Sequence, residues 1–254
     1  MVKVLLSGCC GRMGKVITQL ASEDPGVQIA AGVDLLSSEG CSYPVFTSFA
    51  ACNVPVDVIV DFSSPKAFDG MMDFAVEKHI PAVVCTTGLD ESQLERLKEE
   101  SEKVAILRSA NMSLGINLLM KLLKAAAPVL SDAGFDVEIV EMHHNKKKDA
   151  PSGTAIALAD SINASVDGRY TYVYDRSQKY EQRGKDELGI SAVRAGSIVG
   201  DHSVIFAGAD EVIELKHTAY SRAIFGKGAL QAGKYLAGKE AGYYSMSDVI
   251  DANM

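Results

Sequence analysis

The chain has 254 residues, with 25 Lys and Arg against 33 Asp and Glu, a formal net charge of −8, which argues against a generically basic nucleic-acid binder. A hydrophobic share of 47% with 23% charged residues describes a chain with enough apolar surface for a core, unlike a disordered one. The length allows one large or two modest domains, and two are expected. No stretch reaches the ~18 uncharged apolar residues of a membrane span, because Lys121 and Lys124 interrupt the richest run, Leu118 to Leu130. The apolar segment after Met1–Val2–Lys3 ends at Gly8 in a glycine-rich turn, not a cleavage site, so a cytoplasmic location is expected. Cys9, Cys10, Cys41, Cys52 and Cys85 are odd in number and lack paired ligand spacing. They read as reduced thiols, with neither a disulfide framework nor a metal site.

In chain order, the first third alternates β-branched runs with helical segments, the pattern of a parallel sheet wrapped by helices. Strands are expected at Val2–Leu6, Val27–Val33, Val56–Asp61, Ala82–Cys85 and Val104–Leu107, with helices at Met13–Ser22, Ala67–Lys78 and Glu91–Ser101. After Asn111 a long apolar helix from Leu114 to Leu130 should end near Pro128, followed by a strand Phe135–Met142 and a helix starting at Ser152. Strands Ile190–Arg194, Ser203–Ala207 and Glu211–Thr218 read as antiparallel in character, with a turn at Gly208–Ala209–Asp210. Tyr180 to Leu188 reads as a mobile surface loop, and Ala223 to Ala241 as helical. The expected fold class is α/β, with a parallel sheet wrapped by helices in the first part and a mixed sheet in the central part.

Two constellations carry chemistry. The first strand runs into Ser7–Gly8–Cys9–Cys10–Gly11–Arg12–Met13–Gly14, where Gly8 and Gly11 can bring backbone amides against a pyrophosphate at a helix N-terminus. Asp34 follows Gly14 by 20 residues and closes the second strand, where a carboxylate accepts hydrogen bonds from an adenosine ribose. A bare βα turn is the alternative. The second constellation runs from Glu141 through His143, His144, Lys146, Lys147 and Lys148 to Pro151–Ser152–Gly153–Thr154. Strand alternation points His143 and His144 apart, which disfavours a joint metal chelate. A histidine near neutrality can deliver a proton, and a lysine can hold a carboxylate. The helix start at Ser152, with Gly153 and Thr154, can make an anion pocket. At least two of the three lysines read as a solvated turn. Asp61–Phe62–Ser63–Ser64–Pro65, Cys85–Thr86–Thr87–Gly88 and Ser109–Ala110–Asn111–Met112 lie at carboxyl ends of expected strands, the ligand edge of open α/β sheets.

Taken in order, these motifs resemble the dihydrodipicolinate reductase family, from Gly8 to about Leu230. The most specific parts are GRMG at Gly11–Gly14, HHNKKKDAPSGTA from His143, RAGSIVGDH from Arg194 and HTAYSRAIFGKGAL from His217. The resemblance implies reduction of 4-hydroxy-tetrahydrodipicolinate with NADH or NADPH on the diaminopimelate route to lysine. It implies a Rossmann-type dinucleotide-binding domain from 1–112 and 222–254, and a central mixed-sheet α/β domain for substrate and homotetramer assembly from 113–221. It implies catalytic roles for His143 and Lys147, and substrate contacts from His144, Ser152, Gly153, Thr154 and Arg222. Cofactor contacts would come from Gly8, Cys9, Cys10, Gly11, Arg12, Met13, Asp34, Cys85, Thr86, Thr87, Ser109, Ala110, Asn111 and Met112. Closure about hinges near Asn111 and Ser221 is expected with it. Leu35 and Ser64 stand where some members carry Arg, leaving Arg12 as a possible phosphate partner, so NADH is expected over NADPH. Cys85 replaces a common Gly. The rivals are another nicotinamide-dependent amino acid or aldehyde dehydrogenase, and a non-catalytic NAD(H)-sensing regulator.

Overall fold

The structure, a computed structural model, describes residues 1–35, 40–109, 111–174, 176–177 and 179–252. Backbone proximity divides it into two units, Met1–Ser113 with Ala223–Met254, and Leu114–Arg222.

The first unit opens with β1 (Val2–Ser7), α1 (Arg12–Ser22), β2 (Val27–Val33), β3 (Val45–Phe46), β4 (Val58–Asp61), α2 (Phe68–Lys78), β5 (Ala82–Val84), α3 (Glu91–Glu100) and β6 (Ala105–Arg108). Its strands are near-continuous apolar runs because both faces are covered. Val4, Leu6, Val58, Val60, Ala105 and Leu107 turn to one face, and Leu5, Ile59 and Ile106 to the other. On the second face they meet Phe68, Met71 and Met72 of α2 and Leu97 of α3. Asp90 starts α3 with a capping box, its carboxylate accepting from Gln93 N at 2.9 Å, which holds this mostly charged helix in place through a single buried Leu97.

The second unit is continuous: α4 (Leu114–Asp132), β7 (Asp136–His143), α5 (Gly153–Ala164), β8 (Thr171–Val173), β9 (Glu187–Arg194), β10 (Gly200–Ala207) and β11 (Val212–Ala219). Its sheet runs β11-β10-β7-β9-β8. The two pairings made by β10 are antiparallel, whereas β7 with β9 and β8 with β9 are parallel. The later strands are therefore only partly antiparallel, because the helix and loop between β7 and β9 return the chain to the same end of the sheet. Leu119, Leu123 and Ala127 of α4 and Ala155, Leu158 and Ile162 of α5 pack on Val137, Ile139, Ile190, Val204 and Phe206. Helix α4 is long and apolar enough to cross a membrane by length and composition. One side of it, with Leu119, Leu123 and Ala127, packs in the core of this unit, and Lys121 and Lys124 lie along it.

The chain then returns to the first unit as α6 (Ala223–Leu236), β12 (Gly242–Tyr244) and α7 (Met246–Asp251). These cover the other face of the first sheet, with Ala229, Leu230, Leu236, Met246 and Val249 in its core. The completed sheet runs β12-β6-β5-β4-β1-β2-β3, and its six pairings are all parallel.

Three expectations are corrected. Pro128 lies inside α4, which continues to Asp132; proline removes one backbone donor, and flanking turns and packing can carry a helix past it. The segment after Tyr180 is not a free loop. Arg183 donates to Glu138 Oε1 at 2.9 Å, Asp136 Oδ1 at 2.7 Å and the Val137 carbonyl at 3.0 Å, and Glu187 and Leu188 already belong to β9. The helical reading of Ala223–Ala241 stops at Leu236. Gly238, at φ +77°, adopts the left-handed conformation that ends helices.

Candidate active site

In the first unit, strand order reverses between β1 and β4, which are hydrogen-bonded neighbours, and the carboxyl ends of the strands beside that switch point form the ligand edge of such sheets. A cavity of about 720 Å³ opens there, lined among others by Ser7, Gly8 and Gly11 at the end of β1, Asp34 after β2, and Phe62, Ser63 and Ser64 after β4. Gly8 has φ +75°, and a Cβ on it would lie 2.6 Å from the Phe62 carbonyl oxygen. A Cβ on Gly14 would lie 2.3 Å from the Gly8 carbonyl oxygen. Both positions thus require the smallest residue, which lets α1 begin directly under the turn. Asp34 accepts from Cys10 N at 2.9 Å, tying the acid to the glycine turn. The buried hydroxyls of Ser7 and Thr86 have no hydrogen-bond partner among the described residues, and both sit at carboxyl ends of strands. A dinucleotide fits these features: a glycine cradle, an acid at the second strand and two buried hydroxyls that a ligand would satisfy.

Of the other expected cofactor residues, Arg12 is exposed at the start of α1, Met13 and Cys85 are half-buried, and Thr87 is exposed. Burial, with the Asp61 carboxylate next, pushes the Cys85 thiol up. Ser109 Oγ donates to the Asn111 carbonyl at 3.0 Å, and Ser113 N donates to Asn111 Oδ1 at 2.8 Å. Met112 is buried. Ala110 lies outside the described residues. Lys66, Asp73 and Glu77 also line the cavity, and sequence reading assigned none of them. Lys66 follows the Ser63–Ser64–Pro65 turn directly, and Asp73 and Glu77 stand four residues apart on α2, spacings that could have signalled them.

In the second unit, β7 alternates half-buried and buried residues so that Val137, Ile139, Glu141 and His143 share the helix-covered face. Strand register completes the group, pairing His143 with Arg194 on β9 and Glu141 with His202 on β10. Glu141 has 0% exposure. Arg194 Nη1 donates to its Oε2 at 2.8 Å, and Arg194 Nη2 to its Oε1 at 2.7 Å. Ser152 N donates to Oε1 at 2.9 Å, and His143 Nδ1 stands 2.6 Å from Oε2. Burial pulls the Glu141 carboxyl up, but the Arg194, His143 and Ser152 hydrogen bonds outweigh it and hold its pKa below the usual range. An ionised Glu141 accepts only, so His143 Nδ1 carries the hydrogen toward it and Nε2 is left outside that pair.

His202 packs edge-on against His143, ring centroids 5.1 Å apart, and burial, then the charge of His143, pushes its pKa down to about 4. Its Nε2 is 3.1 Å from Ser152 Oγ, which also accepts from Ala155 N at 3.1 Å as the cap of α5. Ser152 is thus buried and already partnered, and it positions the helix start. Gly153 is exposed with open space where a Cβ would stand, and Thr154 is half-buried. His144 falls just past β7, its Nδ1 buried without a partner among the described residues. Lys147 is half-buried and pairs with Asp149 at 2.8 Å, whereas Lys146 and Lys148 are exposed. Arg222 is exposed in the turn before α6, outside this buried group. Sequence reading gave Glu141, Arg194 and His202 no role. The period-two spacing of Glu141 and His143, and the Arg and His of RAGSIVGDH, were the available signals.

The parallel sheet and its switch-point cavity define an NAD(P)-binding Rossmann-type oxidoreductase. Residues 2–112 match the family described as dihydrodipicolinate reductase, N-terminus, and residues 115–250 the one described as dihydrodipicolinate reductase, C-terminus. The 4-hydroxy-tetrahydrodipicolinate reductase of Caldanaerobacter subterraneus subsp. tengcongensis is 48% identical, with 98% of each chain covered. That of Clostridium novyi is 47% identical with 98% of each chain covered. The dipicolinate-bound dihydrodipicolinate reductase of Paenisporosarcina sp. TG-14 superposes with a TM-score of 0.80 at 25% identity, over 96% of this chain and 97% of that one. The chain belongs to the dihydrodipicolinate reductase family.

Proposed function

We propose that this chain reduces 4-hydroxy-tetrahydrodipicolinate to tetrahydrodipicolinate, using NADH in preference to NADPH, with His143 as proton donor. The reductase role on the diaminopimelate route to lysine accompanies family membership across both halves of the chain. A bound dihydronicotinamide supplies the hydride. Gly8 to Met13 and Asp34 hold the dinucleotide, with Cys85 to Thr87 and Ser109 to Met112 along the same sheet edge. His143 Nε2 passes a proton while Nδ1 stays on Glu141. Lys147 leaves Asp149 to take a substrate carboxylate, and the helix start at Gly153 and Thr154, with His144 and Arg222, orients the dicarboxylate. The observation that carries this reading is the buried Glu141 carboxylate, which fixes one ring nitrogen of His143 and leaves the other for proton transfer.

His143→Ala tests it. Turnover should fall ~10²–10⁴-fold with NADH affinity intact, and a kcat near that of the unaltered enzyme would remove His143 from the role. Cofactor preference follows from the cavity lining, where Lys66 is the one cation among the described residues beside Asp34, Asp73 and Glu77. Asp73 is compensated by Arg96 at 2.6 Å, but Asp34 still faces a 2′-phosphate with repulsion. kcat/KM should be at least about tenfold higher for NADH, and an NADPH advantage would overturn this part.

The homotetramer belongs to the same proposal. It is supported by Val193, Val212 and Ile213, exposed on the second unit's sheet, and is read by sedimentation. Closure about Asn111 and Ser221 is read by small-angle scattering with NADH and pyridine-2,6-dicarboxylate, which should shrink the radius of gyration. A cytoplasmic location agrees with five free thiols.

A further inference from the structure

Sequence spacing gave no metal site, yet the fold of the first unit gathers three of the five thiols. Cys41 lies close to the glycine turn, and the sulfurs of Cys9, Cys10 and Cys41 all lie within 4.8 Å of one another. Cys9 Sγ and Cys10 Sγ are 3.8 Å apart. A tetrahedral d10 cation with metal–sulfur bonds of about 2.3 Å requires sulfurs roughly 3.8 Å apart, so one edge of such a site is already formed. The pocket for the innermost sulfur is built by its neighbours. Cys9 is 1% exposed, and a Cβ on Gly32 would lie 2.5 Å from its Sγ and 3.0 Å from the Tyr43 ring. Tyr43 is fixed by its hydroxyl, 2.7 Å from Thr18 Oγ1. Asp34, held by Cys10 N, places a carboxylate next to the trio.

We propose that Cys9, Cys10 and Cys41 form a binding site for a thiophilic d10 cation of the Zn2+ kind, and that its occupation excludes the dinucleotide. The second clause rests on the cofactor reading given above. One divalent cation displaces three thiol protons, giving three metal–sulfur bonds and three released H+ with no change of oxidation state. With it, Cys9 and Cys10 of the pyrophosphate turn are joined to Cys41 in one chelate at the turn that the dinucleotide would use, so the two ligands compete for it.

Cd2+ serves as the spectroscopic probe, added to the reduced full-length protein. A thiolate-to-Cd2+ charge-transfer band should saturate at one equivalent, and mass spectrometry should then find Cys9, Cys10 and Cys41 protected from alkylation while Cys52 stays as reactive as before. Cys41→Ser should weaken the binding at least tenfold, and Cys52→Ser should leave it unchanged. Absence of the band, or equal binding by Cys41→Ser, overturns the site. For the second clause, Zn2+ at one equivalent should raise the NADH Kd at least tenfold in the unaltered protein and leave that of Cys41→Ser unchanged. An unaffected NADH Kd in protein that shows the Cd2+ band overturns the exclusion while the site stands. Failure of the metal-free protein to bind NADH would instead count against the cofactor reading.

Discussion

Glu141 governs the polar group of the second unit because a carboxylate so deeply buried is tolerated only when every oxygen is paired. Glu141→Gln keeps the shape, removes the charge opposite Arg194 and lets an amide meet His143 Nδ1 as donor or acceptor, so the ring's tautomer is no longer fixed. kcat should fall on the order of 10²-fold with NADH affinity unchanged, and an unaltered kcat would show that His143 needs no positioning. Glu141→Ala should in addition cost about 3 kcal/mol in urea unfolding, since Arg194 loses its partner. His202 sets the acid limb of stability. Its pKa is about 4 in the fold against 6.5 for an ordinary histidine, so the fold prefers the neutral ring. That preference is fully present above pH 6.5 and is lost as pH falls toward 4, by about 3 kcal/mol. Glu141, held below its ordinary value, adds to the loss at still lower pH as it protonates. In thermal melts from pH 7 to 4, His202→Gln should show a flatter decline; an identical slope would assign the limb to other groups. His143 was legible as chemistry from its strand end. Its supports were not, because Arg194 and His202 reach it only through the register of three strands distant in sequence.

Elements with a continuous apolar run could be read from the chain, even the three-residue β5, and short elements without one could not. β2 falls at Val27–Val33 as expected, since a β-branched run covered on both faces has few alternatives. β8 and β12, three residues each, are fixed by pairing to β9 and β6 and carry no pattern of their own. The cap of α5 joins element and site, because Ser152 holds the helix through Ala155 N and meets His202 with the same hydroxyl. Ser152→Ala should destabilise the fold by about 1–2 kcal/mol and raise KM for the dicarboxylate more than it lowers kcat. Loss of stability with no change in KM would reduce the residue to a structural cap. At the start of α1, Gly14→Ala would force a Cβ to within 2.4 Å of the Cys9 carbonyl oxygen, so the turn and the helix must part. NADH affinity should drop at least tenfold while far-UV circular dichroism stays unchanged.

The chain as a whole leaves its first unit at Ser113 and returns at Ala223, so one sheet is completed by both ends of the sequence. The alternation of strand and helix made the α/β class legible early. The resemblance placed 222–254 with this unit, but β12 and α7 themselves were hidden, because a six-residue helix and a three-residue edge strand have no periodic signal and acquire meaning only against β6 and the core already formed. Met246 and Val249 of α7 have 0% exposure and pack in the same cluster as Val4, Leu6 and Leu107. Burying two such side chains contributes about 4–5 kcal/mol, a large part of the ~5–15 kcal/mol that holds a domain folded. A chain ending at Ala241 should therefore lose NADH binding. In hydrogen exchange it should lose protection across β1, β4 and β6, while β7 and β10, whose core residues come entirely from 114–222, keep theirs. Loss of protection in both sheets together would mean that the two cores unfold as a single cooperative body; retention in both would mean that the C-terminal elements contribute little to the dinucleotide sheet.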